Sequence, residues 1–334
     1  MIELTPDNAV HYLRQRGWVG ADPVQVEPFG WGVSNVVLRV VTPERSFVLK
    51  QSCSRLRTRD PWFSDLERVY REQEVMQLLS QVLPPPTVPE VLFTDRDNFV
   101  FAMSEAPATS RVWKETLLRG EVDQQVASHA GQILARIHET TARNAALVDR
   151  FGDHTVFVQL RVEPFYRRIQ EVRPEFAGAI EPIVERMLSV KVALCHGDYS
   201  PKNILVHDQG FTLVDYETAH FGDPTMDLGF FLSHLMLKAI KNSAIREQYY
   251  DLTRSFWSSY RRAAQFRPFD ELVRHGIEHF AVCALARIDG TSPVDYLPEE
   301  SKRETVLKMV RRILTEKPAQ WPLVLEITDE CLNS

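Results

Sequence analysis

The apolar pattern of the chain changes once along its length, from strand-like to helical. Apolar side chains alternate or form short runs, as in strands, at 24–26, 36–40, 46–50 and 99–103. Helical spacing predicts helices at 6–16, 65–80, 122–140, 162–172, 227–240, 245–263, 270–287 and 302–316. A strand-rich segment followed by a longer helical one is typical of an α+β protein with two lobes. We therefore expect a β-rich N-terminal lobe over 1–103, a hinge at 104–108 and a mostly helical C-terminal lobe over 109–334.

Composition argues against several classes of protein. The chain has 334 residues, of which 44% are hydrophobic and 25% are charged, so a folded protein is expected rather than a disordered one. The net charge of −6 argues against a nucleic-acid binder. No apolar run approaches the roughly 20 residues that span a bilayer, and the first residues lack the apolar core of a signal peptide. The four cysteines are scattered, which favours reduced thiols and a cytoplasmic location.

The densest group of polar residues lies within 195–224, where two short apolar runs flank a turn and predict a β-hairpin. A hairpin returns the chain to the end where it began. Asn203 just before the hairpin and Asp215 just after it are therefore expected at the same end, with Asp198 on the preceding loop. Amide and carboxylate oxygens suit Mg²⁺ bound together with phosphates. The alternative is a polar turn whose acidic side chains are only solvated.

Two spaced motifs can be read in this segment. The first runs HGDYSPKNIL from His196 to Leu205, and the second comprises VDYE, GDP and DLG at 214–217, 222–224 and 227–229. Together they resemble the aminoglycoside phosphotransferase/choline kinase family, and the H-x-D-x-x-x-x-N spacing is also that of the protein-kinase catalytic loop. The resemblance implies a bilobal protein-kinase-like fold. It also implies ATP- and Mg²⁺-dependent transfer of the γ-phosphate to a hydroxyl of a small molecule, such as an amino alcohol, a sugar or an aminoglycoside-like compound.

The resemblance also implies roles for individual residues of the segment. Asp198 would be catalytic and accept or orient the proton of the acceptor hydroxyl. Asn203 and Asp215 would hold Mg²⁺. Asp227, at the start of a helix, would brace the loop that carries Asp198.

A kinase-like fold also requires a lysine on the third strand that pairs with a glutamate on the next helix. Lys50 ends the third predicted strand. Helical spacing places Glu72 on one face with Val69 and Met76, where an unpaired carboxylate is costly. We expect a Lys50–Glu72 pair that directs the ammonium group at the phosphates of ATP, and we assign both residues to the catalytic group. The alternative is a surface lysine and a glutamate at the edge of the helix.

Two further segments are candidates for nucleotide binding. Gly30, Gly32 and Ser34 lie in a turn before the second strand, where glycines let backbone amides approach phosphates closely. The alternative for this turn is an ordinary hairpin connection. At the hinge, the resemblance implies adenine hydrogen bonds to the Ser104 carbonyl and from the Ala106 amide, and the alternative is an ordinary linker.

Two other polar patterns carry weaker signals. The segment 275–279 has the H-x-x-E-H spacing of some zinc proteases, but it is short enough to occur by chance. Arg55, Arg57 and Arg59 form a basic loop that could help to bind an anionic substrate, although such charge runs are more often solvated surface.

Two alternatives to a small-molecule kinase remain open from the sequence. One is a nucleotide-binding regulatory module without catalysis, and the other is a metal-dependent hydrolase that uses the His/Asp cluster of residues 196–227. For the kinase, the expected cofactors are ATP and Mg²⁺. The expected partner is a small-molecule hydroxyl substrate, with neither a nucleic acid nor a membrane, and no pattern indicates the oligomeric state.

Overall fold

The computed structural model describes residues 2–29, 34–56 and 62–334. Contacts divide the chain into two compact units. The first unit comprises the chain up to Ser110 together with Thr212–Glu217, and the second comprises Arg111–Phe211 and Thr218–Ser334. The expected β-sheet N-terminal part and mostly helical remainder are confirmed.

The first unit contains a five-stranded antiparallel sheet with the strand order β1-β2-β3-β5-β4. Its elements are α1 (Pro6–Gln15), β1 (Gln25–Pro28), β2 (Asn35–Val41), β3 (Ser46–Ser52), α2 (Arg68–Leu79), β4 (Val91–Asp95) and β5 (Val100–Ser104). Thr5 caps α1 through a hydrogen bond from the Asn8 amide, and Pro6 takes the first helical position. The buried Leu13 side chain of α1 belongs to one apolar core with Leu38 of β2, so the leading helix is part of this unit.

The sequence does not predict two features of the first unit. β4 pairs with β5, but four of its five residues are only half-buried, so it lacks a clear apolar alternation. The segment Thr212–Glu217 was expected in the C-terminal lobe and instead belongs to the first unit. The Leu213 amide donates to the Thr87 carbonyl oxygen (2.7 Å) and the Thr212 hydroxyl to that of Pro86 (3.0 Å). Asp215 is therefore in the same unit as Lys50.

The second unit is built mostly from helices. They are α3 (Trp113–Leu118), α4 (Gln124–Thr141), α5 (Ala145–Phe151), α6 (Thr155–Phe157), a π-helix (Val158–Arg167), α7 (Arg168–Val172), α8 (Ala177–Ser189), α9 (Thr225–Lys241), α10 (Arg246–Ala263), α11 (Phe269–Asp289), α12 (Glu300–Glu316) and α13 (Trp321–Leu332), with short 3₁₀ turns at Pro174–Phe176 and Ser243–Ile245. The predicted helices corresponding to α4, α9, α10, α11 and α12 are present. The predicted helix at 162–172 is instead the end of the π-helix followed by α7.

Short strands carry the polar segment of the chain. They are β6 (Arg111–Val112), β7 (Ala193–Cys195), β8 (Ile204–His207), β9 (Gly210–Leu213) and β10 (His220–Gly222). β8 and β9 are neighbours in a sheet with the order β6-β8-β9, which confirms the predicted hairpin, and the boundary between the two units falls within β9. β7 pairs with β10 in an antiparallel ladder.

Two glycines allow the central helices of the second unit to pack closely. A Cβ atom at Gly229 of α9 would lie 2.4 Å from the Phe280 backbone nitrogen of α11. A Cβ atom at Gly131 of α4 would lie 2.4 Å from the Phe256 carbonyl oxygen of α10. These distances are too short for any side chain, so glycine is required at both contacts. Nearly every side chain of α9 is buried as a result.

In the part of the chain that the structure describes, no helix combines the length and the apolar character needed to cross a membrane.

Candidate active site

Lys50 lies on β3 in the middle of the sheet and forms an ion pair with the buried Glu72 of α2. The Lys50 Nζ atom is 2.6 Å from Glu72 Oε2 and 2.9 Å from Asp215 Oδ1. Lys50 is 4% exposed, and the carboxylate of Asp215 is more accessible, at 20% exposure of its side chain. The expected Lys50–Glu72 contact is therefore present, and the structure brings Asp215 to the same ammonium group.

Carboxylates outnumber cations around Lys50. Glu72, Asp215 and Glu217 each place an oxygen within 4.8 Å of the others. Burial disfavours the charged ammonium, but the charges of Asp215, Glu72 and Glu217 outweigh burial and raise the pKa of Lys50. Burial raises the pKa of Glu72, with Lys50 acting in the opposite direction. This region therefore holds a lysine that stays protonated and oxygen donors of the kind that bind Mg²⁺.

The backbone at Asp215 directs its carboxylate into this group. Asp215 has φ of 72°, in the left-handed region that aspartate tolerates better than most residues. It lies two residues after the end of β9, within the segment Thr212–Glu217 that belongs to the first unit.

A second buried network, which we call the Arg68 network, joins Arg68, Glu217, Ser34 and Asn35. The Arg68 Nε atom donates to Glu217 Oε2 at 3.0 Å, and Nη2 donates to the Ser34 carbonyl oxygen at 2.5 Å. The Ser34 hydroxyl and the Asn35 amide donate to Glu217 Oε1 and Oε2, each at 2.7 Å. Arg68 is 1% exposed. The network ties the start of β2 to the segment that carries Asp215.

The Arg68 network gives Ser34, in the predicted nucleotide loop, a hydrogen-bond partner that the sequence did not predict. The Ser34 hydroxyl, expected to donate to phosphate, donates to Glu217 instead in this structure. Gly30 and Gly32 lie outside the described residues. Sequence reasoning left the role of Glu217 open and did not consider Arg68, although Arg68 and Glu72 are four residues apart and so share a face of α2.

Asp198 lies in the second unit and has both carboxylate oxygens in contact with neighbouring side chains. Its Oδ1 is 2.8 Å from Nη2 of Arg161, and its Oδ2 accepts from Asn203 Nδ2 at 2.9 Å. Lys202 Nζ is 3.9 Å from the same Oδ2. Because Nδ2 is the atom of Asn203 that donates to Asp198, Oδ1 is the Asn203 atom that a cation would contact. The expected proximity of Asp198 and Asn203 is thus present within this unit.

Sequence reasoning missed Arg161. Its Nε also donates to the Gly197 carbonyl oxygen at 2.8 Å, so it binds the loop as well as the carboxylate. Arg161 comes from the π-helix, whose wider turns change which residues share a face. A pattern search that assumes α-helical spacing cannot place it correctly.

Asp227 braces the loop around Asp198, as the resemblance implied. Its carboxylate accepts hydrogen bonds from the backbone amides of His196 (2.7 Å) and Gly197 (2.8 Å), and His138 Nε2 is 3.3 Å away. Burial would raise the pKa of Asp227, but the hydrogen bond and charge of His138 and the amide of His196 lower it below its ordinary value. The ionised carboxylate is therefore well matched to this role.

Glycine is required at position 197 of the same loop. Gly197 has φ of 76°, and a Cβ atom there would lie 2.5 Å from the Thr218 carbonyl oxygen. The Thr218 hydroxyl in turn donates to the His196 carbonyl oxygen at 3.2 Å. The turn before Asp198 is thus fixed by backbone conformation and by close contact.

The structure also describes several of the remaining candidates from the sequence. Ser104 is the last residue of β5 and exchanges hydrogen bonds with Glu90, and Ala106 follows it after one residue. Glu278 of the H-x-x-E-H pattern pairs with Arg186, and His279 Nδ1 is 2.7 Å from the Tyr166 hydroxyl. Arg55 is exposed, whereas Arg57 and Arg59 lie outside the described residues.

A buried group formed by His138, Cys195 and Asp227 has the spacing of a metal site. Asp227 is already occupied by two backbone amides, and burial raises the pKa of the Cys195 thiol well above its ordinary value. A protonated thiol and an occupied carboxylate are poor metal ligands. This group therefore gives no support to a metal-dependent hydrolase.

The β-sheet part and the mostly helical remainder are those of kinase-like proteins. Residues 25–266 match the model of the phosphotransferase enzyme family (APH), and the chain belongs to that family. The family expected from the two sequence motifs is confirmed, and the comparisons below support an enzyme of the small-molecule kinase class.

Methylthioribose kinases are among the relatives with similar sequences. A methylthioribose kinase from Exiguobacterium sibiricum is 25% identical over 304 residues, which cover 83% of this chain and 76% of that protein. A methylthioribose kinase from Pectobacterium atrosepticum is 25% identical over 264 residues, which cover 70% of this chain and 65% of that protein. The chain thus matches only part of the length of each relative.

Solved structures share the fold at low sequence identity. The ethanolamine kinase of Plasmodium vivax matches with a TM-score of 0.58 and 12% identity over 95% of this chain and 92% of that one. A spectinomycin phosphotransferase, solved with ADP and spectinomycin, matches with a TM-score of 0.54 and 10% identity over 99% of both chains. These likenesses confirm the kinase-like fold.

Proposed function

We propose that the protein is a phosphotransferase that uses ATP and Mg²⁺ and transfers the γ-phosphate to a hydroxyl of a small molecule. The observation that carries the proposal is the buried Lys50, held by Glu72 and in contact with Asp215. Phosphoryl transfer depends mainly on positioning and charge stabilisation, so a fixed ammonium and oxygen donors are the parts that it requires. The complexes of a structural neighbour with ADP and of another with AMP-PNP support the use of ATP.

Each side chain has a defined task in this reaction. Lys50 would bind phosphate oxygens, and Glu72 would hold its ammonium in place. Asp215 and Asn203 would hold Mg²⁺, which when bound supplies positive charge to the phosphate oxygens. Gly30, Gly32 and Ser34 at the turn, and Ser104 and Ala106 at the hinge, remain proposed nucleotide contacts.

Asp198 would accept the proton of the acceptor hydroxyl. Arg161 and Asn203 each bind one of its oxygens, so the carboxylate is held in a single orientation. Correct placement of a base matters because proton transfer requires hydrogen-bond geometry with the reacting hydroxyl. A nucleotide-binding module without catalysis would have no need of this arrangement, which argues against that alternative.

An ATP-turnover screen with Mg²⁺ tests the proposal, using small alcohols, amino alcohols and sugars as acceptors. We expect Asp198→Asn to lower turnover of the acceptor found by about 10²- to 10⁴-fold, because the base is lost. Binding of ADP, measured by thermal shift, should persist in this variant. Asp208→Asn, in the exposed turn of the β8–β9 hairpin, is the matched control and should turn over at the wild-type rate. Unchanged turnover in Asp198→Asn would contradict the assigned role.

A further inference from the structure

Three cations of the second unit form a group that the proposed catalytic roles do not use. Lys114 lies on α3, Lys238 on α9 and Arg287 on α11. The ammonium groups of Lys238 and Lys114 are 5.2 Å and 5.9 Å from the centre of the Tyr296 ring. We call Lys114, Lys238 and Arg287, together with Tyr296, the cation cluster.

The charges of Asp198 and Asp295 act on Arg287, but neither carboxylate forms an ion pair with the cation cluster. Among residues 2–29, 34–56 and 62–334, none of its three cations forms an ion pair, whereas Arg173 and Arg246 of the same unit pair with Asp289 (2.8 Å) and Asp329 (2.6 Å). Four lysines and arginines are buried among the described residues, and Lys50, Arg68 and Arg161 form ion pairs whereas Lys238 forms none.

The cluster also contains buried polar atoms that have unused hydrogen-bonding capacity. Lys238 is completely buried, and its ammonium donates to the His234 carbonyl oxygen at 2.9 Å. An ammonium group can donate three hydrogen bonds. Within the described residues, the buried Arg287 Nε and the buried Tyr296 hydroxyl have no hydrogen-bond partner. Such atoms are costly to bury unless a ligand completes their bonding.

Neighbouring titratable groups report the same excess of positive charge. Burial lowers the pKa of Lys238 well below its ordinary value, and the charges of Lys114 and Arg287 lower it further. Burial also lowers the pKa of His234, with contributions from all three cations of the cluster and from Lys202. An anion bound at this position would favour protonated Lys238 and remove the mutual repulsion.

The cation cluster borders the loop that carries Asp198. The Lys114 amide donates to the Pro201 carbonyl oxygen at 2.9 Å, and Lys202 of this loop contacts Asp198. The charge of Asp198 acts on Arg287, which also lies close enough to Arg161 to be influenced by it. A small molecule whose hydroxyl reaches Asp198 can therefore place another of its groups against these cations.

We propose that the cation cluster binds a negatively charged group of the acceptor, so that the substrate is a hydroxyl compound carrying a carboxylate or a phosphate ester. This inference rests on the proposed function and specifies its acceptor. In the reaction the acceptor oxygen forms the new P–O bond, the bond to the ADP oxygen breaks, and the hydroxyl proton goes to Asp198. The anionic group keeps its charge and serves only to bind and orient the acceptor.

Binding of matched acceptors tests this inference without requiring turnover. The probes are glycerol, D-glycerate and glycerol 3-phosphate, and ribose, ribonate and ribose 5-phosphate, added by titration to protein saturated with ADP and Mg²⁺. We expect an anionic member of at least one set to bind at least tenfold more tightly than its neutral counterpart. Preference for the carboxylate or for the phosphate member identifies the anionic group.

Two variants connect the binding to the cluster. Lys238→Met and Lys114→Met should each weaken binding of the preferred anion at least tenfold, while binding of the neutral counterpart stays the same. Lys241→Met, at the end of the same helix α9, and Arg274→Met, on the exposed face of α11, are controls and should bind the anion as the wild type does. The half-buried Lys114 gives a second test if Lys238→Met does not fold.

Several results would overturn the inference. The inference is wrong if none of the anions binds to the wild type, or if the neutral members bind as tightly as the anions or more tightly. It is also wrong if Lys238→Met and Lys114→Met both bind the anion with wild-type affinity. Binding of ADP with Mg²⁺ to the wild type is measured separately by thermal shift. Loss of that nucleotide binding would contradict the proposed function, whereas normal nucleotide binding without anion preference contradicts only the assignment of the acceptor.

Discussion

The group around Lys50 and the cation cluster use buried charge in opposite ways. In the first unit, Lys50 and Arg68 face the carboxylates of Glu72, Asp215 and Glu217, and each of these two cations has a carboxylate within 3.0 Å. In the second unit, the cations of the cluster have aromatic and backbone neighbours. Internal pairing makes the first group part of the folded framework, whereas the second depends on charge from outside the protein.

The largest expected loss of unfolding free energy follows from a substitution in the group around Lys50. Lys50→Met removes the cation and leaves Glu72 buried without its partner, which costs about 3–5 kcal/mol of unfolding free energy. The double variant Lys50→Met with Glu72→Met should recover most of this loss, because a buried pair replaced by apolar side chains of similar size is often neutral. Urea unfolding of the wild type and both variants measures the difference.

A surface pair provides the control for the Lys50 variants. Lys308→Met removes a partner that lies 3.9 Å from Glu304 on the exposed side of α12, so it should change the unfolding free energy by less than about 1 kcal/mol. Equal losses for Lys50→Met and Lys308→Met would mean that the buried pair is not a structural element.

A smaller loss is expected from the Arg68 network. Glu217→Gln keeps the size of the side chain and one acceptor oxygen but removes the charge that faces Arg68, at a cost of about 1.5–3 kcal/mol. The network also joins Ser34 to the segment of Asp215, so the same change should weaken ADP binding in the presence of Mg²⁺. Parallel urea and thermal-shift measurements test both effects, with Glu44→Gln in the exposed connection between β2 and β3 as the control. Wild-type stability in Glu217→Gln would show that the network does not hold these segments.

The smallest expected change in unfolding free energy is a gain in stability, and it comes from a substitution in the cation cluster. Lys238→Met replaces an unpaired buried ammonium with an apolar side chain of similar length, and we expect stability without ligand to rise by about 1 kcal/mol. Measurement of Tm for the wild type and Lys238→Met at several pH values tests whether the gain has an electrostatic cause. The folded pKa of Lys238 is lowered, so its stability penalty is present below the ordinary lysine pKa and diminishes as pH rises toward it. The gain from Lys238→Met should therefore shrink at alkaline pH, and a gain independent of pH would contradict an electrostatic cause.

Local spacing explains which parts of the site could be predicted. Glu72 was identified because a carboxylate on an apolar helix face needs a cation, and Lys50 was the cation on the adjoining strand. The contacts of Asp198 with Asn203 followed from five-residue spacing on one loop. Spacing alone was sufficient for Asp198 and Asn203, whereas the choice of Lys50 also needed the kinase-like fold that the two motifs implied.

Contacts between distant segments explain what could not be predicted. The cation cluster joins Lys114, Lys238 and Arg287, which belong to three helices far apart in the sequence, so no periodicity connects them. Glu217 and Ser34 are 183 positions apart, and their hydrogen bond depends on tertiary packing. β4 and α13 were missed for a simpler reason, since the half-buried residues of β4 and the proline near the start of α13 obscure their regular patterns.

The π-helix makes the contact between Arg161 and Asp198 sensitive to the number of residues in this stretch. Its wide turns place Arg161 beside Asp198, and removal of a single residue between Val158 and Leu160 would rotate the following side chains by about 100° around the helix axis. The arginine would then face elsewhere although it had not been replaced. A deletion in this stretch would therefore remove the contact with Asp198 as completely as replacement of Arg161 would.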